Sequence, residues 1–168
     1  MAKAQDTGSG LFYIATMKPV DAEDRRRITR HRCERDGFGF TTIEQPVDIE
    51  AILDKCGSKG SFLLDSVTAL LSNEMFTADG DVREGYAGKT KRGIKTIIDG
   101  VSDIVIVSDF IYSDAIIYSP LTEGYRKALA EIDMSAARSC DVVLEAAYSG
   151  LVFHKGKDIF GRLNEKML

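Results

Sequence analysis

The chain has 168 residues, of which 44% are hydrophobic and 29% charged, and its formal net charge is −4. This length predicts one domain, residues 1–168, with a core large enough to fold without disulfides or metals. The negative charge disfavours a general nucleic-acid binder, and no apolar stretch has the length of a membrane span or the form of a signal peptide. Three unpatterned cysteines are typical of free thiols in a reducing compartment. We therefore expect a cytoplasmic protein that binds neither nucleic acid nor membrane.

Short β-branched segments alternate with helical patterns along the chain, which predicts strand–helix–strand units and a largely parallel sheet. The predicted strands are residues 11–16, 40–44, 61–65, 103–108, 141–148 and 151–154. Helices are predicted to start after Pro19, after Pro46 and near Ser66, and others to cover 91–100, 120–140 and 157–168. Residues 1–10 are predicted to form a flexible tail. Residues 77–93, which contain four glycines and many charges, are predicted to form a mobile loop.

The segment from Tyr13 to Arg35 carries the strongest chemical signal. It is predicted to be a strand, a turn and an arginine-rich helix, with six arginines and one of the two histidines. Positions four apart share a helix face, so Arg27, His31 and Arg35 are predicted to line one edge. Guanidinium groups bind phosphate oxygens and disfavour protonation of a neighbouring imidazole, so this edge is a candidate anion site with a neutral, nucleophilic histidine. The alternative is a solvated basic face with an ordinary surface histidine.

Two predicted strands end in a carboxylate. Leu63-Leu64-Asp65 has the form of a Walker B strand, whose aspartate helps to hold the Mg²⁺ that bridges nucleotide phosphates. The alternative is an aspartate that caps the following helix. Glu44 ends its own strand, and it lies at the same edge of the sheet if the strands are parallel.

Two other motifs are interpreted without catalysis. Gly88-Lys89-Thr90 is similar to the end of a phosphate-binding loop, but that loop needs a glycine where the chain has Arg83, and no apolar strand precedes it. We interpret these residues as a loop leading into a helix. Asp6-Thr7-Gly8-Ser9 resembles the aspartic-protease signature, which the α/β pattern downstream disfavours.

Residues near the two later strands are weaker candidates. Asp109, Tyr112 and Asp114 follow the strand 103–108, and the carboxyl ends of strands are where open α/β sheets bind ligands. They are candidate substrate contacts. His154 lies at a strand end and is interpreted as a surface or edge-strand histidine.

Four motifs of this chain match a known family. They are YIAT at 13–16, RITRHR at 27–32, FTTIEQP at 40–46, and LLDSVT at 63–68 with LSN at 71–73. Together they resemble the adenosylcobinamide kinase / adenosylcobinamide-phosphate guanylyltransferase family of cobalamin biosynthesis, with weaker similarity as far as Val143. The resemblance implies an α/β fold of the P-loop NTPase (RecA-like) type, a mostly parallel sheet flanked by helices.

The chain departs from the family in two places. The family has a strand and a loop of the GGxRSGKS kind ahead of YIAT, where this sequence has only MAKAQDTGSGLF. We therefore expect the first strand and the Walker A loop to be missing. In the second half, residues 107–112 replace the family's VSNEVG, and residues 130–134 replace its GxxNQ.

The resemblance implies a two-step transferase. Adenosylcobinamide is phosphorylated from ATP or GTP, and GMP is then transferred from GTP onto that phosphate through a guanylylated histidine, here His31. The resemblance assigns nucleotide binding to Ala15, Thr16, Met17, Arg32, Cys33, Glu34, Arg35, Glu44 and Asp65, and Mg²⁺ binding to Asp65. The implied partners are GTP or ATP, a corrinoid (cobinamide) substrate, and further copies in a homo-oligomer. The alternative is a non-catalytic nucleotide-binding remnant, or an N-terminally truncated version of that enzyme that is inactive as this chain.

Overall fold

A computed structural model describes residues 10–165 of the chain, as a parallel sheet of four strands and a separate antiparallel hairpin. The sheet strands are β1 (Leu11–Ala15), β2 (Thr41–Glu44), β3 (Ser61–Asp65) and β4 (Asp103–Val107), in the order β2-β1-β3-β4. The hairpin strands are β5 (Val143–Ala147) and β6 (Gly150–Lys155). The helices are α1 (Ala22–Arg35), α2 (Ile52–Cys56), α3 (Val67–Met75), α4 (Tyr86–Gly100), α5 (Pro120–Ser139) and α6 (Lys157–Glu165), and a 3₁₀ turn at Ile49–Ala51 precedes α2.

The predicted fold class is confirmed: an α/β domain with a mostly parallel sheet flanked by helices, consistent with a P-loop NTPase-like fold. The predicted flexible tail, residues 1–10, falls outside the described residues except for Gly10, as do the last three residues of the predicted helix 157–168.

The last two predicted strands are confirmed as strands, but they lie outside the parallel sheet. They pair antiparallel with each other, and within residues 10–165 they make no ladder with the other four strands. Tyr148 and Ser149 join them with φ angles of 49° and 63°. Two consecutive positive φ angles are typical of a two-residue hairpin turn, which usually contains asparagine or glycine. This chain has tyrosine and serine at these positions instead, so the turn could not be recognised from its residue types.

The predicted loop 77–93 is also too long. Helix α4 begins at Tyr86, so residues 86–93 are helical, and Gly88-Lys89-Thr90 lies inside the helix rather than in a loop before it. Gly93 explains part of the error. A β-carbon at this position would lie 2.8 Å from both Ile49 Cγ2 and Glu50 Oε2, so the glycine lets α4 pack closely against the 3₁₀ turn.

The hydrophobic core lies on one face of the sheet. Ile14, Phe62 and Leu64 point into it from β1 and β3, and each is at most 1% exposed. Helices α3, α4 and α5 cover this face with Val67, Leu70, Leu71, Ile94, Ile97, Leu129 and Ile132. Each such side chain stabilises the fold by about 1.5–3 kcal/mol when fully buried. Because side chains alternate along a strand, Tyr13, Ala15 and Asp65 face the opposite side, over which α1 lies with no buried residue of its own.

A buried carboxylate joins α3 to α4. Glu74 is 2% exposed and accepts hydrogen bonds from Lys89 Nζ and from the Asp48 amide, both at 2.7 Å. Lys89 Nζ also lies 2.6 Å from Asp48 Oδ1. The lysine of Gly88-Lys89-Thr90 is therefore a structural cation, which agrees with the rejection of this motif as a phosphate-binding loop.

Among the helices of the described segment, none has the length and apolarity required to cross a bilayer.

Candidate functional site

Helix α1 places its arginines beside the sheet. The Asp21 side chain caps the helix by accepting a hydrogen bond from the Asp24 amide at 2.8 Å, while Arg32 and Arg35 occupy its last turn. A capping carboxylate at the start and cations at the end both favour the helix dipole. Gly37 follows with a φ of 87°, which lets the chain turn sharply into β2. The end of α1 is thereby held close to the first strands of the sheet.

The predicted carboxylates share one edge of the sheet. In the parallel register Ala15 lies opposite Glu44 on one side and opposite Asp65 on the other. This confirms the prediction that the two acidic residues lie at the same edge of the sheet, on either side of Ala15. The carboxyl edge of a parallel sheet is the usual position of a ligand in open α/β folds.

Two arginines of α1 reach this edge by different contacts. Arg32 forms an ion pair with Glu44 on the surface. Arg35 stacks on the ring of Tyr13, with its guanidinium carbon 3.5 Å from the ring centroid. The Tyr13 hydroxyl in turn donates a hydrogen bond to Asp65 Oδ2. Tyr13 is thus a member of the site that the sequence interpretation missed, although strand alternation places it on the face of Ala15 and Asp65.

A cavity of about 360 Å³ opens between the end of α1 and the start of β2. Its lining residues are Arg32, Arg35, Asp36, Gly37, Gly39, Phe40 and Thr42. The Arg35 Nε atom is buried and has no hydrogen-bond partner among the described residues. A buried N–H donor without an acceptor is costly, which makes Arg35 a candidate for contact with an anionic ligand.

His31 contacts a carboxylate rather than an arginine. Its Nδ1 atom lies 3.1 Å from Glu34 Oε2, and the imidazole is 41% exposed. The predicted helix is confirmed, and Glu34 on the same helix is a hydrogen-bond partner of this ring that the sequence interpretation did not include. A proton on Nδ1 that is donated to Glu34 leaves the lone pair on Nε2, so the ring keeps one nitrogen free for chemistry. Cys33, beside it in the helix, is exposed.

Thr16 is fully buried, and its hydroxyl is already engaged. It donates a hydrogen bond to the Ser66 carbonyl and accepts one from the Ser66 amide, both at 2.8 Å. These bonds tie the end of β1 to the turn between β3 and α3. A contact between this hydroxyl and a nucleotide, as the resemblance implies, would require them to break.

Asp65 alone carries the predicted metal site. Within residues 10–162, no three histidine, cysteine or acidic side chains cluster closely enough to hold a metal ion by themselves. A single carboxylate at a strand end still fits Mg²⁺, because this ion usually keeps several waters and binds one or two carboxylates together with substrate phosphates. Asp65 therefore suits a metal that arrives with a nucleotide, and does not suit a permanently bound one.

The residues that follow β4 form a separate cluster beside α5. Asp133 Oδ2 accepts hydrogen bonds from Ser108 Oγ at 2.9 Å and from the Tyr112 hydroxyl at 3.1 Å. The buried Arg126 guanidinium pairs with Asp114 and Glu123, and it ties the loop to the helix. A cavity of about 530 Å³ lies here, lined by Tyr112, Asp114, Ala115, Ile116, Glu123, Arg126, Lys127 and Ala130.

Burial raises the pKa of Asp133, and the charge of Asp109 adds to this effect against the hydrogen bonds from Ser108 and Tyr112. A carboxyl with a raised pKa in the folded state binds its proton more tightly there, so stability falls as pH rises through that pKa. We expect Asp133→Asn, which keeps an oxygen acceptor, to remove this loss. The free energy of unfolding, measured with urea, should then fall less steeply in the variant than in the wild type between about pH 4 and pH 7. The lower limit is the ordinary pKa of aspartate. The same slope in both proteins, or an equal change in the exposed control Asp54→Asn, would contradict it.

The second histidine lies outside this site. His154 Nε2 is 3.3 Å from Glu145 Oε2 across the β5–β6 hairpin, and the imidazole is 56% exposed. This agrees with its interpretation as an edge-strand histidine.

A known protein family matches most of this chain. The family model described as cobinamide kinase / cobinamide phosphate guanyltransferase matches residues 1–154. The chain belongs to this family. It is also similar to the bifunctional adenosylcobalamin biosynthesis protein CobP of Pseudomonas aeruginosa, with 34% identity over 83 residues. That match covers 49% of this chain and 47% of the relative, so the chain spans about half the length of the curated relative that it matches.

Proposed function

We propose that this chain binds a nucleoside triphosphate between α1 and the carboxyl ends of β1, β2 and β3, and that it carries out guanylyl transfer through His31. The single observation that carries the proposal is the arrangement of Arg35. Its buried Nε has no partner within residues 10–162, and its guanidinium stacks on the ring that hydrogen-bonds Asp65. An anion and a divalent cation can therefore be bound side by side, as the triphosphate of a nucleotide requires.

The charged side chains are proposed to bind different parts of the nucleotide and its metal ion. Arg35, with Arg32 beside it in the 360 Å³ cavity, is suited to phosphate oxygens, because guanidinium groups form strong bidentate hydrogen bonds to them. Asp65 would hold Mg²⁺, which, when bound, neutralises charge on the phosphates. Exposed Glu44 pairs with Arg32, so it orients this arginine.

His31 is the proposed nucleophile. With Nδ1 directed to Glu34, the free Nε2 attacks the α-phosphorus of GTP, a nitrogen–phosphorus bond forms, and pyrophosphate leaves. GMP then passes from the histidine to the phosphate of a phosphorylated corrinoid, which restores the imidazole. A covalent intermediate divides one difficult displacement into two easier ones, and Glu34 serves as the group that orients the base. The corrinoid and the preceding kinase step are the substrate and activity that family membership suggests.

A second candidate function is nucleotide binding without catalysis. The 168 residues contain no G-x-x-x-x-G-K-[ST] sequence, and in phosphoryl-transfer enzymes the amides and lysine of that loop hold the β- and γ-phosphates. A nucleotide that binds without this loop would have its phosphates poorly aligned with the reacting groups. The reaction would then be slow, because catalysis depends on holding the reacting atoms close together in the right orientation.

The test is covalent labelling with GTP that carries a radioactive α-phosphate, in the presence of Mg²⁺. We expect an acid-labile, base-stable label on the chain joined behind the family's GGxRSGKS segment, and little or none on the chain alone. His31→Asn should abolish the label. His154→Asn is the matched control, because it removes the other imidazole but lies on the β5–β6 hairpin, and it should label normally.

Two results would contradict guanylyl transfer through His31. One is a joined protein that binds GTP but labels no histidine, which leaves the binding-only function. The other is equal labelling of wild type and His31→Asn, which would place the nucleophile elsewhere.

A further inference from the structure

One aromatic ring separates two opposite charges at this site. The Arg35 guanidinium carbon lies 3.5 Å above the centre of the Tyr13 ring, and the Asp65 carboxylate accepts a hydrogen bond from the hydroxyl of the same ring. The cation therefore lies on the ring face and the anion at its polar edge. This matches the ring's own charge distribution, since the face of an aromatic ring is negative and attracts cations.

Tyr13 is held firmly in this position. It is 6% exposed, and its strand neighbours are Thr42 on β2 and Leu63 on β3. Phe40 packs edge-on against its ring, with centroids 6.0 Å apart. Burial raises the pKa of the Tyr13 phenol, and the hydrogen bond and charge of Asp65 raise it further. The hydroxyl therefore keeps its proton at neutral pH and donates a hydrogen bond to the carboxylate.

The ring lies between two groups of opposite charge that could otherwise pair directly. Arginine and aspartate at such close range would normally form a direct bidentate ion pair, and that pair would occupy the donors that a phosphate needs. Here Arg35 makes no ion pair within 4.0 Å with any carboxylate of residues 10–162, and its Nε stays without an acceptor in that range. The Arg35 guanidinium thus lies near the Asp65 carboxylate but forms no ion pair with it.

We propose that Tyr13 is a positioning residue that keeps the Arg35 guanidinium from pairing with Asp65, so that Arg35 is free to bind an oxyanion of a polyphosphate. This inference rests on the proposed function, because it names the residue that prepares the nucleotide site. It assigns the ring of Tyr13 the role of a spacer and its hydroxyl the role of a tether for Asp65.

The test uses inorganic pyrophosphate as the ligand and calorimetry at low salt. Tyr13→Phe keeps the ring and should bind within about twofold of wild type, whereas Tyr13→Leu should bind about tenfold more weakly, because Arg35 can then pair with Asp65. The decisive variant is Tyr13→Leu combined with Asp65→Asn. Removing the competing carboxylate should raise the pyrophosphate affinity of Tyr13→Leu about tenfold. The same Asp65→Asn change in the wild-type background should raise it only about twofold. An unfolded or generally loosened variant would not be rescued in this way.

Each result decides the proposal. Equal gains from Asp65→Asn in the two backgrounds, full affinity in Tyr13→Leu, or no pyrophosphate binding to the wild type would overturn it. If Tyr13→Leu does not fold, as circular dichroism would reveal, Tyr13→Phe decides alone: retained affinity supports the ring as a spacer, and a loss above about fivefold overturns it. Pyrophosphate binding with the predicted rescue, but without GTP binding, would keep the role of Tyr13 and remove the nucleotide function.

Discussion

Lys89→Met is expected to lower the free energy of unfolding by about 2 to 4 kcal/mol, because it leaves the Glu74 carboxylate buried without its cation. Loss of one partner from a fully buried pair costs about 3–5 kcal/mol, and the expected value is lower because Lys89 is itself 38% exposed. The Asp48 amide also continues to hydrogen-bond Glu74 in the variant. Chemical denaturation at neutral pH measures the change.

Lys95→Met is the matched control on the same helix. Lys95 pairs with Asp99 one turn along, and both side chains are more than half exposed, so this pair should contribute only about 0.3–0.5 kcal/mol. Burial lowers the pKa of Lys89, but hydrogen bonds and charges from Asp48 and Glu74 outweigh it and leave that pKa raised. The stabilisation is therefore present below the ordinary pKa of lysine and is lost as pH rises through the higher folded value. A Lys89→Met protein as stable as Lys95→Met would contradict the structural role of Lys89.

Arg35→Ala is expected to weaken GTP binding by about ten- to a hundredfold, which corresponds to the loss of one or two charge-assisted hydrogen bonds. The reason is that the variant removes the donor with the buried, unpartnered Nε and also uncovers the Tyr13 ring. Calorimetry at low and at physiological salt measures the affinity. Binding should weaken as salt is added, because GTP is a polyanion and dissolved ions screen its attraction to the arginines.

Arg26→Ala is the control for net charge. Arg26 is exposed in the same helix but lies outside the cavity lining, so its removal should change GTP affinity by about threefold at most, through charge alone. Equal effects of the two substitutions would mean that α1 attracts nucleotides only through its overall charge. In that case the contacts at the end of β1 and β3 would have no role in binding.

The strands and the position of α1 could be predicted because their signals are local. The strand that ends with Leu63-Leu64-Asp65 was predicted with its observed bounds, because the alternation of its side chains and its terminal acidic residue indicate where a buried strand ends. Helix α5 was found from Pro120, which occupies the first turn behind the cap Ser119. Parallel register then followed from the strand–helix alternation, and it correctly brought Glu44 and Asp65 to one edge.

The remaining features depend on tertiary contacts that a single sequence does not reveal. Gly93 indicated a loop, yet it lies in a helix because it meets Ile49 at close range. By contrast, the contact of His31 with Glu34 is local, three residues along the same helix, and it was missed because the interpretation relied on the arginines four residues away. Tyr13 gave no chemical signal, because its role depends on Arg35, at the far end of α1, folding back over β1.

The most direct test of a nucleotide site between α1 and the strand ends is to map GTP on the folded chain by ¹H–¹⁵N NMR, with Mg²⁺ present and at low salt. We expect GTP to shift the Arg35 Nε–H signal most, together with the backbone amides of Ala15, Met17 and Asp65. The same spectra recorded with Arg35→Ala should lose most of the shifts at those amides. Shifts confined to Gly88-Lys89-Thr90 or to the cavity beside α5, or no shift at millimolar GTP, would contradict the proposed site.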